Sequence, residues 1–369
     1  MTFNTDVIKN DEKAIFALRS LYLKYGYKCY KMSKFEEYDL YARNKDFLVS
    51  DSVITFTDKN GSLMALKPDV TLSIIKNSSP EGLTKVYYNE NVYRVSQGSN
   101  GFKEIMQTGL ECIGDIDTYN ICEVVMLAAK SLMAISEDFV LDISHMGFIS
   151  ELLGSLNIGS KLKKRIISCM AEKNLHEIKA ICRENNIPSE NIELVASTYG
   201  NGDEVLKKLE KAVVTDEMKK QLDQLKILNE FLKEHAVHEK INFDFSIVND
   251  MNYYSAIVFK GYINGIETGV LSGGQYGSLM QRMGKKADAI GFAVYLDMLE
   301  RLPSPSKKYD TDIVILYDND ANVSELAKNI KMLNDNGSSV LALKELGDIR
   351  CKQLLKFNGK GVEILENND

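Results

Sequence analysis

Side chains that commonly do chemistry are few in this sequence, and their spacing excludes more than it suggests. Four histidines (His145, His176, His235, His238) include one close pair, His235 and His238, three apart on an expected helix. No third ligand stands near that pair, so it reads as surface and no metal is expected. Six cysteines (Cys29, Cys112, Cys122, Cys169, Cys182, Cys351) contain no CxxC pair and sit mostly in apolar stretches. They read as reduced core thiols of a cytoplasmic protein. Neither a GxxxxGK[ST] loop nor a GxGxxG turn occurs, so P-loop and Rossmann nucleotide binding have no anchor here. No cofactor is expected. Gly273-Gly274, taken by itself, reads as a hairpin turn.

The elements that would position any site come next. The 369 residues are 44% hydrophobic and 26% charged, the profile of an ordinary globular chain with two or three domains. No apolar run approaches the roughly 20 residues needed to cross a bilayer, and Met1 to Glu12 is polar with no signal-peptide core. No membrane association is expected. A net charge of -7 argues against a nucleic-acid partner, which would call for a basic face. Residues 11–26 have helical spacing and stop at Gly26. A β-like stretch follows at 27–32. Residues 53–66 read as two strands around Asn60-Gly61. A helix is expected over 70–77, strands over 84–95 and 103–114, a helix over 118–135 with Thr118 as N-cap, and a strand over 139–146. From 148 to 238 the pattern is helical and highly charged. Strand signal returns at 241–248, 254–262 and 266–271, followed by a helix near 275–283 and a strand-to-helix element at 289–301. After the linker PSPSKK (303–308) a β–α–β–α–β pattern of parallel type is expected, its second helix over 347–358.

Six segments in this framework carry a more specific signal: LKPDVT (66–71), YNENVYR (88–94), FKEIMQTGLECIG (102–114), MNYYSAIVF (251–259), LSGGQYGSLM (271–280) and AIGFAVYLDML (289–299). Their order and spacing resemble the core of the histidyl-tRNA synthetase family over about residues 10–302. The Tyr-Tyr pair and the GG-x-Y turn resemble the histidine-specific branch in particular. The resemblance implies an α+β fold: a class II synthetase-like antiparallel sheet with flanking helices, a helical insertion and a small C-terminal α/β domain. Its parts would be a core from 1–147 and 239–302, the insertion from 148–238, and a truncated C-terminal domain from 309–369. It also implies a histidine pocket. Asp69 stands where the family has a glutamate facing the ammonium, with Thr71 and Gln107 beside it. Glu111 and Tyr254 or Tyr253 match the groups that read the imidazole, and Tyr276 matches a further pocket tyrosine. A buried charge left without a partner is expensive, so a histidine zwitterion needs such a set.

The groups that would handle ATP depart from the family. Arg94 keeps the arginine of the motif 2 segment. In the loop after it, one expected arginine is lost and another is Lys103. The family's arginines are Asn249, Gln275 and Met298 here, and Tyr295 fills a glycine position. Adenylate formation requires cations where negative charge develops on phosphate, and each such group is worth several kcal/mol. Arginine and lysine are not equivalent at such sites. A kept amino-acid pocket beside a broken ATP site, with a short C-terminal domain, is similar to the regulatory-subunit family of ATP phosphoribosyltransferase. That resemblance implies a non-catalytic protein in the first step of histidine biosynthesis. Its expected partners are the short-form catalytic subunit and a second copy of itself in a hetero-oligomer, with L-histidine as effector and no tRNA. A divergent histidyl-tRNA synthetase is the alternative.

Overall fold

The computed structural model describes residues 8–48, 53–78, 82–95, 101–248, 253–302 and 308–368. Contacts divide the chain into two units, Met1–Leu302 and Pro303–Asp369.

In the first unit, helix α1 (Asn10–Lys24) buries Ala14, Leu18 and Tyr22. It stops at Gly26, whose φ of 81° is readily available only to glycine. The strands that follow are β1 (Lys28–Cys29), β2 (Phe35–Glu37), β3 (Thr55–Thr57), β4 (Leu63–Leu66), β5 (Thr84–Val95), β6 (Phe102–Gly114), β7 (Phe139–His145), β8 (Tyr199–Gly200), β9 (Ile241–Asp244), β10 (Ile257–Ile263), β11 (Leu271–Gln275) and β12 (Asp288–Tyr295). Nine of them form one sheet in the order β1-β5-β6-β12-β11-β10-β7-β9-β8, while β2, β4 and β3 form a small separate sheet. The long β5–β6 and β6–β12 pairs that centre the large sheet are antiparallel.

The interleaved helices are α2 (Tyr38–Ala42), α3 (Thr71–Asn77), α4 (Thr118–Ile135), α5 (Met146–Ser155), α6 (Ser160–Ala171), α7 (Leu175–Glu184), α8 (Glu190–Ser197), α9 (Gly202–Leu209), α10 (Asp216–Lys233) and α11 (Gly277–Arg282). Helix α4 is apolar enough and, at 18 residues, long enough to pass for a membrane span, but it packs into the core. Its N-cap is Asp117 rather than Thr118: the Asp117 carboxylate accepts from the Asn120 N–H. Between α5 and β9 the chain is helical except for β8, which pairs with β9 on the main sheet. The apolar faces of these helices share one core with α1, α4 and one face of the large sheet. The opposite sheet face packs against a second cluster containing α3 and α11.

One strand differs from expectation. The strand expected at 266–271 runs from Leu271 to Gln275, and Gly273-Gly274 lies inside it rather than at a turn. Each of these glycines lies where a Cβ would come within 2.6 Å of a neighbouring strand's backbone oxygen, so close strand packing is what they serve.

The second unit holds β13 (Thr311–Leu316), α12 (Val323–Asp335), β14 (Val340–Leu343), β15 (Cys351–Phe357) and β16 (Val362–Asn367) in the order β14-β13-β15-β16. The helix expected over 347–358 is strand β15. The pattern misled because β15 is buried on both faces: Leu354 and Leu355 point to opposite sides of the sheet, each into its own apolar cluster, so no alternation shows. The Asn358 side chain accepts from the backbone N–H groups of Lys360 and Gly361 and turns β15 into antiparallel β16.

Candidate functional site

Strand β6 carries the central candidates. Its side chains alternate, so Thr108, Leu110 and Cys112 share one face and Gln107, Gly109 and Glu111 the other. Leu110 and Cys112 belong to the main core. On the opposite face, Glu111 pairs with Gly291 of β12, Gly291 with Gly274 of β11, and Gly274 with Val258 of β10. The glycines make room. A Cβ on Gly291 would lie 1.7 Å from Glu111 Oε2, one on Gly274 2.7 Å from the Tyr254 ring, and one on Gly109 2.6 Å from the Tyr88 hydroxyl.

Above this floor, α3 brings in the second set of polar groups. Pro68 precedes the helix, and Asp69 Oδ1 accepts from the Leu72 N–H at 2.9 Å, ordering its N-terminus. The helix is tied to the small sheet by Ser73 and Lys76, which both bond Glu36. Thr71 therefore reaches Glu111, donating from Oγ1 to Oε1 at 2.8 Å. Tyr276, just past β11, donates from Oη to Glu111 Oε2 at 2.5 Å. The rings of Tyr253 and Tyr254 meet 4.8 Å apart, with Tyr276 6.0 Å from Tyr253.

Glu111 is 2% exposed. Burial pushes its carboxyl from 4.5 up to about 8. The bonds donated by Tyr276 and Thr71 pull the other way, and the nearby Asp69 charge adds to the rise. At neutral pH the carboxyl holds its proton and can donate to a ring nitrogen as well as accept. Asp69 is also raised by burial, although the Leu72 N–H and the Arg94 charge favour its ionised form.

All eight expected residues meet in one cavity of about 580 Å³: Asp69, Thr71, Arg94, Gln107, Glu111, Tyr253, Tyr254 and Tyr276 line it. That size suits a small organic ligand. Motif reasoning missed Tyr88, Lys260 and Gly291, which line it too. A glycine inside a strand pattern was the one available signal for Gly291.

The residues at the positions expected to handle phosphate fall differently. Arg94 lines the cavity and donates from Nε to the Pro68 carbonyl at 3.2 Å. Lys103, opposite Arg94 in the β5–β6 register, pairs with Asp297 at 3.1 Å. Tyr295 and Met298 line the wall. Gln275 is outside that lining: its amide accepts from the Ile257 N–H and donates to Asp288. Gln275 itself therefore adds no polar group to the cavity wall. Asn249 lies outside the described residues.

Known proteins match this architecture. A family model for histidyl-tRNA synthetase matches residues 5–299. The chain is similar to the ATP phosphoribosyltransferase regulatory subunit of Oceanobacillus iheyensis, 28% identical over 312 residues that cover 82% of this chain and 76% of the relative. The regulatory subunit of Caldanaerobacter subterraneus subsp. tengcongensis is 30% identical over 289 residues, 76% of this chain and 75% of the relative. Among solved structures, an ATP phosphoribosyltransferase regulatory subunit/histidyl-tRNA synthetase from Bacillus halodurans shares the fold with a TM-score of 0.73. It is 23% identical, with 92% of this chain and 89% of that one covered. A chain of the ATP phosphoribosyl transferase (HisG:HisZ) complex from Thermotoga maritima has a TM-score of 0.62 at 20% identity, covering 78% of this chain and 97% of that one.

Proposed function

The chain belongs to the histidyl-tRNA synthetase family and to its ATP phosphoribosyltransferase regulatory subunits, and from that premise we propose that it is a non-catalytic, histidine-sensing subunit. In this reading it acts in the cytoplasm, activates a short-form catalytic chain and makes it subject to feedback inhibition by L-histidine. The observation that carries the reading is the pairing of Glu111 with Tyr276 and Thr71 inside a cavity that Asp69 and Gln107 also line. Glu111, with Tyr254 or Tyr253, takes the imidazole. Asp69, Thr71 and Gln107 take the ammonium, and Tyr276 holds Glu111 in place.

Catalytic silence is supported on the other side of the cavity. Tyr295 and Met298 offer no charge there, and Lys103 is committed to Asp297. A triphosphate needs preorganised cations, and a single lost donor costs orders of magnitude in rate.

Self-association is proposed along α1 and the edge strand β1, where Phe16 and Leu23 are 58% and 55% exposed. The catalytic partner is suggested by the two-component complex in which the Thermotoga maritima relative is found. Feedback follows from linkage: histidine inhibits to the extent that it binds one state of the assembly better than the other.

The test mixes this protein with a short-form catalytic chain. Activity should depend on the mixture and fall with added L-histidine, while Glu111→Ala should abolish the inhibition and leave activation intact. Histidine-dependent ATP–pyrophosphate exchange by this protein alone would instead establish a divergent synthetase.

A further inference from the structure

The expected pocket set provides partners for the imidazole and the ammonium of histidine but none for its carboxylate. Lys260 is placed to fill that role. The row Glu111–Gly291–Gly274–Val258 runs across the sheet, and the next row on the same face is Gly109–Ala293–Ser272–Lys260. Successive rows on one face lie two residues apart, about 6.7 Å along the strand. That is comparable to the distance from a histidine ring to its backbone atoms. Gln107, an ammonium candidate, lies one row further in the same direction, opposite Tyr295. Lys260 stands three strands across from β6, about 14 Å at 4.8 Å per strand, so a ligand with its ring on Glu111 must run diagonally over Gly291 and Gly274 for its α-carbon groups to come within reach of the lysine's long side chain.

The lysine's stem is packed along the cavity's far wall. A Cβ on Gly269 would come within 2.6 Å of Lys260 Cε, and Thr268, Gly269 and Ser272 line the cavity beside it. Among the described lining residues the cations are Lys260 and Arg94. Arg94 is engaged with the Pro68 carbonyl and stands beside Asp69. A buried carboxylate without a counter-charge is costly, and a flexible ammonium with three donors suits a terminal carboxylate.

We infer that Lys260 receives the α-carboxylate of the amino-acid ligand. The inference rests on the histidine-pocket reading above. The competing role for Lys260 is structural: its Nζ stands 5.8 Å from the centroid of the Tyr262 ring, and its cross-strand partner on β7 is Asp142.

Calorimetry on the full chain separates the two, using L-histidine and L-histidinol, in which an alcohol replaces the carboxylate. Wild type should bind histidine at least tenfold more tightly than histidinol. Lys260→Met should weaken histidine about tenfold or more and leave histidinol within twofold, and Lys260→Arg should restore most of the histidine affinity. Equal weakening of both ligands, or no weakening of either, overturns the inference and leaves the histidine pocket standing. If wild type binds no histidine at all, the pocket reading itself falls, before any variant is compared.

Discussion

Replacing Glu111 with glutamine should stabilise the ligand-free protein at alkaline pH. The buried carboxyl titrates at about 8 instead of 4.5. A group whose folded pKa is raised contributes stability that is fully present below its unfolded pKa and is lost as pH rises through the folded one. At 1.36 kcal/mol per pK unit, the rise to about 8 corresponds to a loss of roughly 5 kcal/mol between about pH 4.5 and pH 8, an upper figure for so buried a group. Glutamine is uncharged at every pH and has the shape of the protonated acid. Its carbonyl can accept from one of the two hydroxyls, Thr71 or Tyr276, and its amide can donate to the other. The variant should therefore match wild type near pH 5 within about 1 kcal/mol. It should exceed wild type by a few kcal/mol at pH 8.5, the gap opening by up to about 1.4 kcal/mol per pH unit between. Urea unfolding at half-unit pH steps measures this gap. A difference that is constant with pH would refute the claim that Glu111 is a neutral acid in the folded protein.

Gly291→Ala should abolish histidine binding and lower the melting temperature: its Cβ would lie 1.7 Å from Glu111 Oε2 and 2.5 Å from the Leu110 carbonyl oxygen, so both the carboxylate and the strand must shift, and loss of the histidine-induced thermal shift would report the first. Lys67, fully buried against Glu90 at 2.7 Å, is a stability element. Lys67→Met should cost about 3–5 kcal/mol and Lys67→Met with Glu90→Leu much less, as read from urea midpoints. His145 caps α5 by accepting from the Phe148 N–H, and burial lowers its pKa from 6.5 to about 4. The stability it contributes is present above pH 6.5 and is lost as pH falls toward 4, by roughly 3 kcal/mol at most. His145→Asn keeps a capping acceptor and should flatten the acid limb of the wild-type stability curve.

The site's polar groups were legible in the sequence only through short motifs shared with the histidyl-tRNA synthetase family, which are local: Gln107 and Glu111 stand four apart in one such segment, and Asp69 and Thr71 follow Pro68 in another. The space that makes those groups usable was not legible. Gly109, Gly274 and Gly291 matter only through cross-strand register, which brings Gly291 under Glu111 and Gly274 under Tyr254. Lys260 was invisible for the same reason: its row is defined by Ser272 and Ala293, far away in sequence. Gln275 shows the converse: its motif suggested a place at the cavity, and only the folded register puts its amide on Ile257 and Asp288, outside the lining. In the second unit, β15 is buried on both faces, so Leu354 and Leu355 are both apolar and hide the strand's alternation at 347–358.

Register also accounts for how one function can be lost from such a cavity while another is kept. The Glu111 row and the Arg94–Lys103 end of the β5–β6 pair are eight residues apart on β6, roughly 27 Å along the strand at 3.4 Å per residue. Glu111 has its own support, from Thr71 on α3 and Tyr276 after β11, and neither residue touches the Lys103–Asp297 bridge. Sites separated by more than about 10 Å with no shared partners respond to substitution nearly independently. The Lys103–Asp297 pair can therefore change without loosening the hydrogen bonds that position Glu111, whereas Tyr295, opposite Gln107, stands only four residues from Glu111, about 14 Å along the strand. A sensor needs only the Glu111 end and a coupled equilibrium, because binding alone can bias an assembly. A synthetase needs both ends at once, because its cations must meet a phosphate held against the bound amino acid.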